Sequence, residues 1–307
     1  MSLSSQLLQL FFAGITIGSI YGLVAIGFNI IYNATGIINF AQGEFVMLGG
    51  MCAVWLTASL GLPLYVSFPI AVLMVTAVGI ILERLAIRPI RKPNVLSMII
   101  VTIGASIFIQ GMVMLVWGKQ TFILPHFSSE TPIRFGGASI LPQDLWVLGI
   151  MAAIVVALGL FFERTLVGKA IRACAFDRTA AALVGINVSR MVMISFALSA
   201  AVGAAAGVAI TPKILVSYDR GTLLALKGFS AAVLGGLGNS NGAVIAGFTL
   251  GILESLTAGG MLDFLSGGYY EISHYKDAVA LVVLVGVLFV RPSGLLGGAE
   301  ASRLRKW

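Results

Sequence analysis

Three side chains near the start of the chain are of the kind that handles a polar solute or a proton. Asn39, Gln42 and Glu44 lie inside the otherwise apolar stretch NATGIINFAQGEFVMLGG, residues 33–50, and Glu44 is the sole charged residue among the first 82 positions. A carboxylate at mid-bilayer costs roughly 2.5–3.5 kcal/mol on insertion scales, so its retention points to a partner, a wet cavity or a function. Two readings stay open. Glu44, with Gly43 and the two amides, lines a translocation pathway, or Glu44 caps a helix that starts here, where a carboxylate is favoured. Both place polar groups at a helix break. A second break, GGLGNSNG from Gly235 to Gly242, adds Asn239 and Asn241. Unpaired backbone in hydrocarbon costs several kcal/mol per group and survives only where protein or a wet cavity covers it. Interrupted segments in the two halves point to a pathway and to an inverted repeat, although the halves share little residue identity.

Other chemistries find no support. A phosphate-binding loop is missing: Gly168 and Lys169 are followed by Ala170, and Gly236, Gly238 and Gly242 miss the dinucleotide fingerprint by one residue. The two histidines, His126 and His274, fall in expected outer loops, which argues against a buried metal or hydrolytic site. Cys52 sits in an apolar segment and Cys174 in a polar loop, a placement that argues against a disulfide. No metal, cofactor or catalytic residue is expected.

The elements that must position the polar groups are membrane spans. Hydrophobic residues make up 59% of the chain and charged residues 10%, far from soluble-domain averages, so the expected class is an all-α polytopic membrane protein. Charge gaps mark about eight hydrophobic segments: Leu7 to Ile31, Phe45 to Leu60, Leu64 to Leu82, Val95 to Trp117, Leu145 to Phe162, Met191 to Thr211, Phe229 to Leu253 and Ala278 to Val290. The N-terminus carries no Lys or Arg ahead of its apolar run and is expected to stay on as the first span. A net charge of +7 does not imply nucleic acid, because the bases concentrate in short loops beside the spans.

Those loops set the orientation. Arg84, Arg88, Arg91 and Lys92, then Arg164, Lys169, Arg172, Arg178 and Arg190, then Arg303, Arg305 and Lys306 are expected in the cytoplasm, with the C-terminus; residues 118–142 and 259–277 are expected outside. The count of crossings closes if Phe229 to Leu253 enters and returns to one face, breaking at GGLGNSNG. Glu254 is read as snorkelling at an outer end, although it or Glu44 could also meet an ammonium group.

The cytoplasmic loop 163–190 carries a further signal. Asp177 is a good N-cap and Gly185 a good C-terminal stop, so DRTAAALVG is expected to form a helix of about two turns. Ala180, Ala181 and Leu183 would give it a small apolar surface for docking.

The chain resembles the membrane-spanning permeases of ATP-binding-cassette importers for branched-chain amino acids, the LivH type. The stretches that carry the resemblance are GLVAIGFNIIYNATGIINFAQGEFVMLGG, GKAIRACAFDRTAAALVGIN, GFSAAVLGGLGNSNGAVIAGFTLGILESL and YKDAVALVVLVGVLFVRPSGLLG, which span Gly22 to Gly297 in order. The loop also resembles the Glu-Ala-Ala then Gly motif by which import permeases dock on their ATPases: Thr179, Ala180, Ala181 and Gly185 match its spacing, with Thr179 in place of the Glu. The resemblance implies one transmembrane permease domain over 1–307 in a bacterial inner membrane, with Arg172, Asp177, Thr179, Ala180, Ala181 and Gly185 at the ATPase contact. It also implies three kinds of partner: a related second permease, two cytoplasmic ATP-binding subunits and a periplasmic substrate-binding protein. Relatives move branched-chain amino acids, other amino acids, urea or short amides, and these residues do not decide among them. The rival reading is an ion-coupled secondary transporter in which Glu44 binds the proton.

Overall fold

The structure is a computed structural model that describes residues 3–90, 94–129, 131–135, 137–261 and 272–296. Arg91, Lys92, Arg303, Arg305, Lys306, the C-terminal end and most of the expected outer loop 259–277 lie outside the described residues. The fold is helical: α1 (Leu3–Thr35), α2 (Gln42–Val54), α3 (Leu64–Leu82), α4 (Val95–Trp117), α5 (Pro142–Arg164), α6 (Leu166–Phe176), α7 (Arg178–Leu183), α8 (Val188–Ile210), α9 (Arg220–Gly235), α10 (Ser240–Ala258) and α11 (Lys276–Val290). One antiparallel hairpin, β1 (Ile133–Phe135) and β2 (Ala138–Ile140), joins α4 to α5. Single π-helical turns, Trp55–Ser59 and Glu83–Ile87, extend α2 and α3.

Among the described residues, six helices are long and apolar enough to cross a membrane, where eight segments were expected. The difference has a physical source. α2 is 13 residues long, α9 is 16 and α11 is 15, each short of the ~20 that a straight crossing needs. The expected segment from Phe229 to Leu253 divides at residues 236–239, where Gly236 and Gly238 take positive φ of 97° and 89°.

Caps fix many of the helix starts. Asn94, Thr165, Asp177, Asn187 and Asn239 each accept a backbone N–H from the first turn of α4, α6, α7, α8 and α10, satisfying donors that have no intrahelical partner.

α1, α2, α8 and α10 make the interior, while α3, α4 and α5 turn most of their surface outward. Small residues allow the close approach. α10 runs antiparallel to α1: a Cβ on Gly247 would stand 2.5 Å from the Gly22 nitrogen, and one on Gly251 would stand 2.3 Å from the Gly18 nitrogen. α2 runs alongside α8, where a Cβ on Gly49 would lie 2.4 Å from the Ala204 carbonyl oxygen. The start of α1 meets the hairpin, with Gln9 bonded to both backbone groups of Ser139. Its end meets the second break, where Asn29 and Asn33 bond the backbone of Gly238 and Asn239. Gly36, just past α1, lies beside Arg178 of α7. The hairpin and the α6–α7 pair therefore sit at opposite ends of α1.

Candidate functional site

α1 ends at Thr35, and the chain doubles back through 36–41 as non-helical backbone before α2 starts at Gln42. Gln42, Gly43 and Glu44 are the first three residues of α2, and all are buried. Asn39 accepts the Ala41 N–H on its Oδ1 at 3.1 Å, and its Nδ2 is buried with no partner among the described residues. Gln42 reaches α8: its Nε2 donates to the Ser199 carbonyl at 3.3 Å, and its Oε1 lies 2.5 Å from the Ser199 hydroxyl. Only glycine at 27 leaves room, because a Cβ there would sit 2.1 Å from Gln42 Nε2.

Glu44 is fully buried, and its two oxygens differ. Oε1 accepts from Ser106 Oγ at 2.9 Å, Gln110 Nε2 at 2.8 Å and Thr222 Oγ1 at 3.5 Å. Gln110 also donates to Thr222 at 2.6 Å, closing the cluster. Oε2 has no partner among the described residues. It lies against Gly221 in the first turn of α9, where a Cβ would stand 2.4 Å away. The carboxylate thus rests between two helix starts, its own and that of α9, and positive dipole ends favour an anion by about 0.3–1 kcal/mol each. Hydrogen bonds to a charged group add about 1.5–3 kcal/mol apiece. Together these contacts offset part of the cost of burying the carboxylate. Glu44 stands in the first turn of α2, which has no side-chain cap bond, and it does so deep in the protein beside polar groups.

Asn239 and Asn241 are not part of this cluster. Asn239 caps α10 and donates to the Leu296 carbonyl, and Asn241 is exposed. Ser106, Gln110 and Thr222 went unnoticed as candidates; each is an ordinary polar residue in or beside an apolar helix, 62 to 178 positions from Glu44.

Glu254 does not snorkel. It is 5% exposed, receives the Tyr21 hydroxyl at 2.7 Å and pairs with Lys227 at 2.6 Å, while Lys227 also reaches Asp277 at 2.7 Å. Both Glu254 oxygens are satisfied, so this cluster ties α1, α9, α10 and α11 together. Removing one partner of a buried pair leaves an uncompensated charge and costs about 3–5 kcal/mol; discounted for the partial exposure of Lys227, about 2 kcal/mol is expected. Lys227→Met should lower the unfolding midpoint in detergent, and Lys227→Met with Glu254→Gln should recover most of the loss. An unchanged midpoint for the single variant would remove the ion pair from the list of stabilising contacts.

At the α6–α7 end, Asp177 Oδ1 accepts from Thr179 and Ala180 N–H at 2.7 and 3.0 Å. Gly185 takes φ 88°, with its N–H on Ala182 and the Ile186 N–H on Ala181. α7 is six residues long, and α6, amphipathic with Gly168, Ile171 and Cys174 buried, was not anticipated. The apolar surface also differs from expectation. Ala181 is 3% exposed and faces inward onto Ala34, Ile171 and Met191, whereas Phe176, Leu183 and Val184 are 89%, 84% and 77% exposed. Ala180 and Thr179 are exposed as well, and Arg172 donates to the Phe162 carbonyl at the end of α5. Burial pushes the Cys174 thiol up, with Arg178 pulling it back; the thiol stays protonated at neutral pH. Asp177→Ala should cost about 1 kcal/mol of local stability, read as faster amide exchange over 178–182; unchanged exchange would show that packing alone holds α7.

A family model described as the branched-chain amino acid transport system permease component matches residues 10–288. The chain is 36% identical to the high-affinity branched-chain amino acid transport system permease protein LivH of Escherichia coli (strain K12), over 97% of each chain. It is 35% identical to the corresponding BraD of Pseudomonas aeruginosa, over 97% of this chain and 98% of that one. With the E. coli permease LivM it shares 24% identity, over 92% of this chain and 68% of that one. Among solved structures it is similar to PsaBC from Streptococcus pneumoniae in complex with Fab, with a TM-score of 0.49 and 13% identity, over 96% of this chain and 94% of that one.

Proposed function

Because the chain belongs to the family of branched-chain amino acid transport permeases, the membrane subunits of ATP-binding-cassette importers, we propose that it passes a branched-chain amino acid inward while ATP is hydrolysed by two other subunits. It does no bond chemistry of its own. Those ATPases dock at the α6–α7 end, on the inner side of a bacterial plasma membrane, where the basic loop places the C-terminus too. The second permease is a related chain rather than a copy, as the resemblance to both LivH and LivM suggests. A periplasmic binding protein delivers the solute at the hairpin end.

One observation carries the docking reading: Phe176 at the end of α6, and Leu183 and Val184 at the end of the capped helix α7, stand largely exposed, while Ala181 of α7 is anchored in the protein. Large apolar side chains exposed together mark a protein or membrane contact, and the neighbouring Arg172, Asp177 and Arg190 favour a polar partner over lipid. The pathway runs past the first break, with Asn39, Gln42, Gly43 and Glu44 at its wall. Asn239 and Asn241 serve the second break as cap and surface residue. Leu183→Glu places a charge on the contact and should reduce recovery of co-expressed ATPase subunits at least about tenfold, the equivalent of about 1.4 kcal/mol. Full recovery would move the docking surface elsewhere.

A further inference from the structure

A buried carboxylate that keeps one oxygen empty is built to receive something. Glu44 Oε1 is saturated by Ser106, Gln110 and Thr222, yet Oε2, also buried, has no partner among the described residues. Glu254 offers the contrast, with both of its oxygens bonded inside the protein. Gln110 and Thr222, bonded to each other at 2.6 Å, cover the carboxylate. Thr222 is exposed and Gln110 half-buried, and both lie at the seam between α4 and the first turn of α9, flanked by Ile107 and Leu223 at 64% and 53% exposure. A solute in that seam meets a polar patch one side chain in front of the carboxylate, with aliphatic surface on either side.

Resting on the importer reading above, we propose that Glu44 Oε2 is the transient receiver of the solute's primary ammonium group, admitted when the Gln110–Thr222 hydrogen bond opens, while Ile107 and Leu223 accept its aliphatic side chain. Ser106, Gln110 and Thr222 are positioning residues: by holding Oε1 they aim Oε2. The two helix starts already stabilise the carboxylate as an anion, so an arriving ammonium gains less there than at an isolated buried carboxylate. Weak binding is what a way station needs, since binding that is favourable enough to enter must also be weak enough to leave. The selection is for a solute with an ammonium end; a neutral amide or urea presents no charge to Oε2.

The test uses the whole transporter, both permeases and both ATPases, in proteoliposomes with its binding protein, and labelled L-leucine as the probe. Glu44→Gln replaces Oε2 by an NH2 group of the same size. Leucine uptake should fall at least about tenfold, about 1.4 kcal/mol, while ATP hydrolysis stays within about twofold, and replacing sodium by choline should change neither. Uptake equal to the parent would overturn the assignment, as would a parental sodium or proton dependence that Glu44→Gln abolishes, which would make Oε2 an ion site. Should Glu44→Gln fail to assemble, Gln110→Leu on the half-exposed face of α4 decides in its place: a loss of uptake of threefold or more supports the proposal and unchanged uptake overturns it. A parent complex that takes up no leucine with ATP would instead refute the importer reading and is told apart by that control.

Discussion

Gly185→Val should abolish recovery of the ATPase subunits with this chain while leaving its membrane insertion intact. Gly185 takes φ 88°, and nothing lies within 4 Å of where its Cβ would be. Space is therefore not the obstacle; the backbone is. A β-branched residue at positive φ is strained by about 1–3 kcal/mol, and α7 has only six residues in which to absorb it. The relief available is to unwind the last turn, which releases the Ile186 N–H from Ala181 and swings Leu183 and Val184 off their present positions. A docking surface made of those two side chains and Phe176 is then dispersed. Gly185→Ala, with less branching, should retain part of the recovery. Equal recovery from all three chains, parent and variants, would mean that α7 is a solvated connector.

Gly251→Leu should have the largest effect on folding. A Cβ at 251 would fall 2.3 Å from the Gly18 nitrogen, 2.4 Å from the Gly14 carbonyl oxygen and 2.4 Å from the Gly18 Cα. All three are backbone atoms of a helix, so no side chain can rotate away, and α10 must leave α1 along the stripe formed by Gly14, Gly18 and Gly22. Overpacking of this kind costs about 3 kcal/mol, and separating the pair also loosens the Tyr21–Glu254–Lys227 cluster that spans it. The unfolding midpoint in detergent should drop by several degrees, or the chain should fail to accumulate. Gly149→Leu on α5 is the matched control, because nothing lies within 4 Å of its Cβ position; it should behave as the parent. A Gly251→Leu chain as stable as that control would show that α1 and α10 are not closely packed.

What could be read from the residues beforehand follows from range of interaction. The end of α3 at Leu82 and both bounds of α4, Val95 and Trp117, fall beside charged residues, because charge is kept from hydrocarbon at the cost of a few kcal/mol each. Asp177 and Gly185 frame α7 as expected, since caps act within three or four residues. α6 escaped notice because its buried Gly168, Ile171 and Cys174 are interleaved with Lys169 and Arg172, which read as loop. Glu44 was conspicuous as a lone charge, but its depth was not, because depth depends on the doubling back of 36–41. Ser106, Gln110 and Thr222 could not be picked out, as nothing local distinguishes them from other polar residues in spans; only the packing of α4 and α9 on α2 brings them to Glu44. Asn239 drew attention by lying in a glycine-rich break, and the same composition that made it conspicuous is what a tight turn and a cap require.

On the reading proposed above, this chain moves solute with work done by other subunits. Uptake of labelled leucine into proteoliposomes measures it most directly, comparing this chain alone under an imposed proton gradient with the complete complex given ATP and binding protein. Accumulation only in the second arrangement is the predicted result. Accumulation by the chain alone, driven by the gradient and lost in Glu44→Gln, would contradict it.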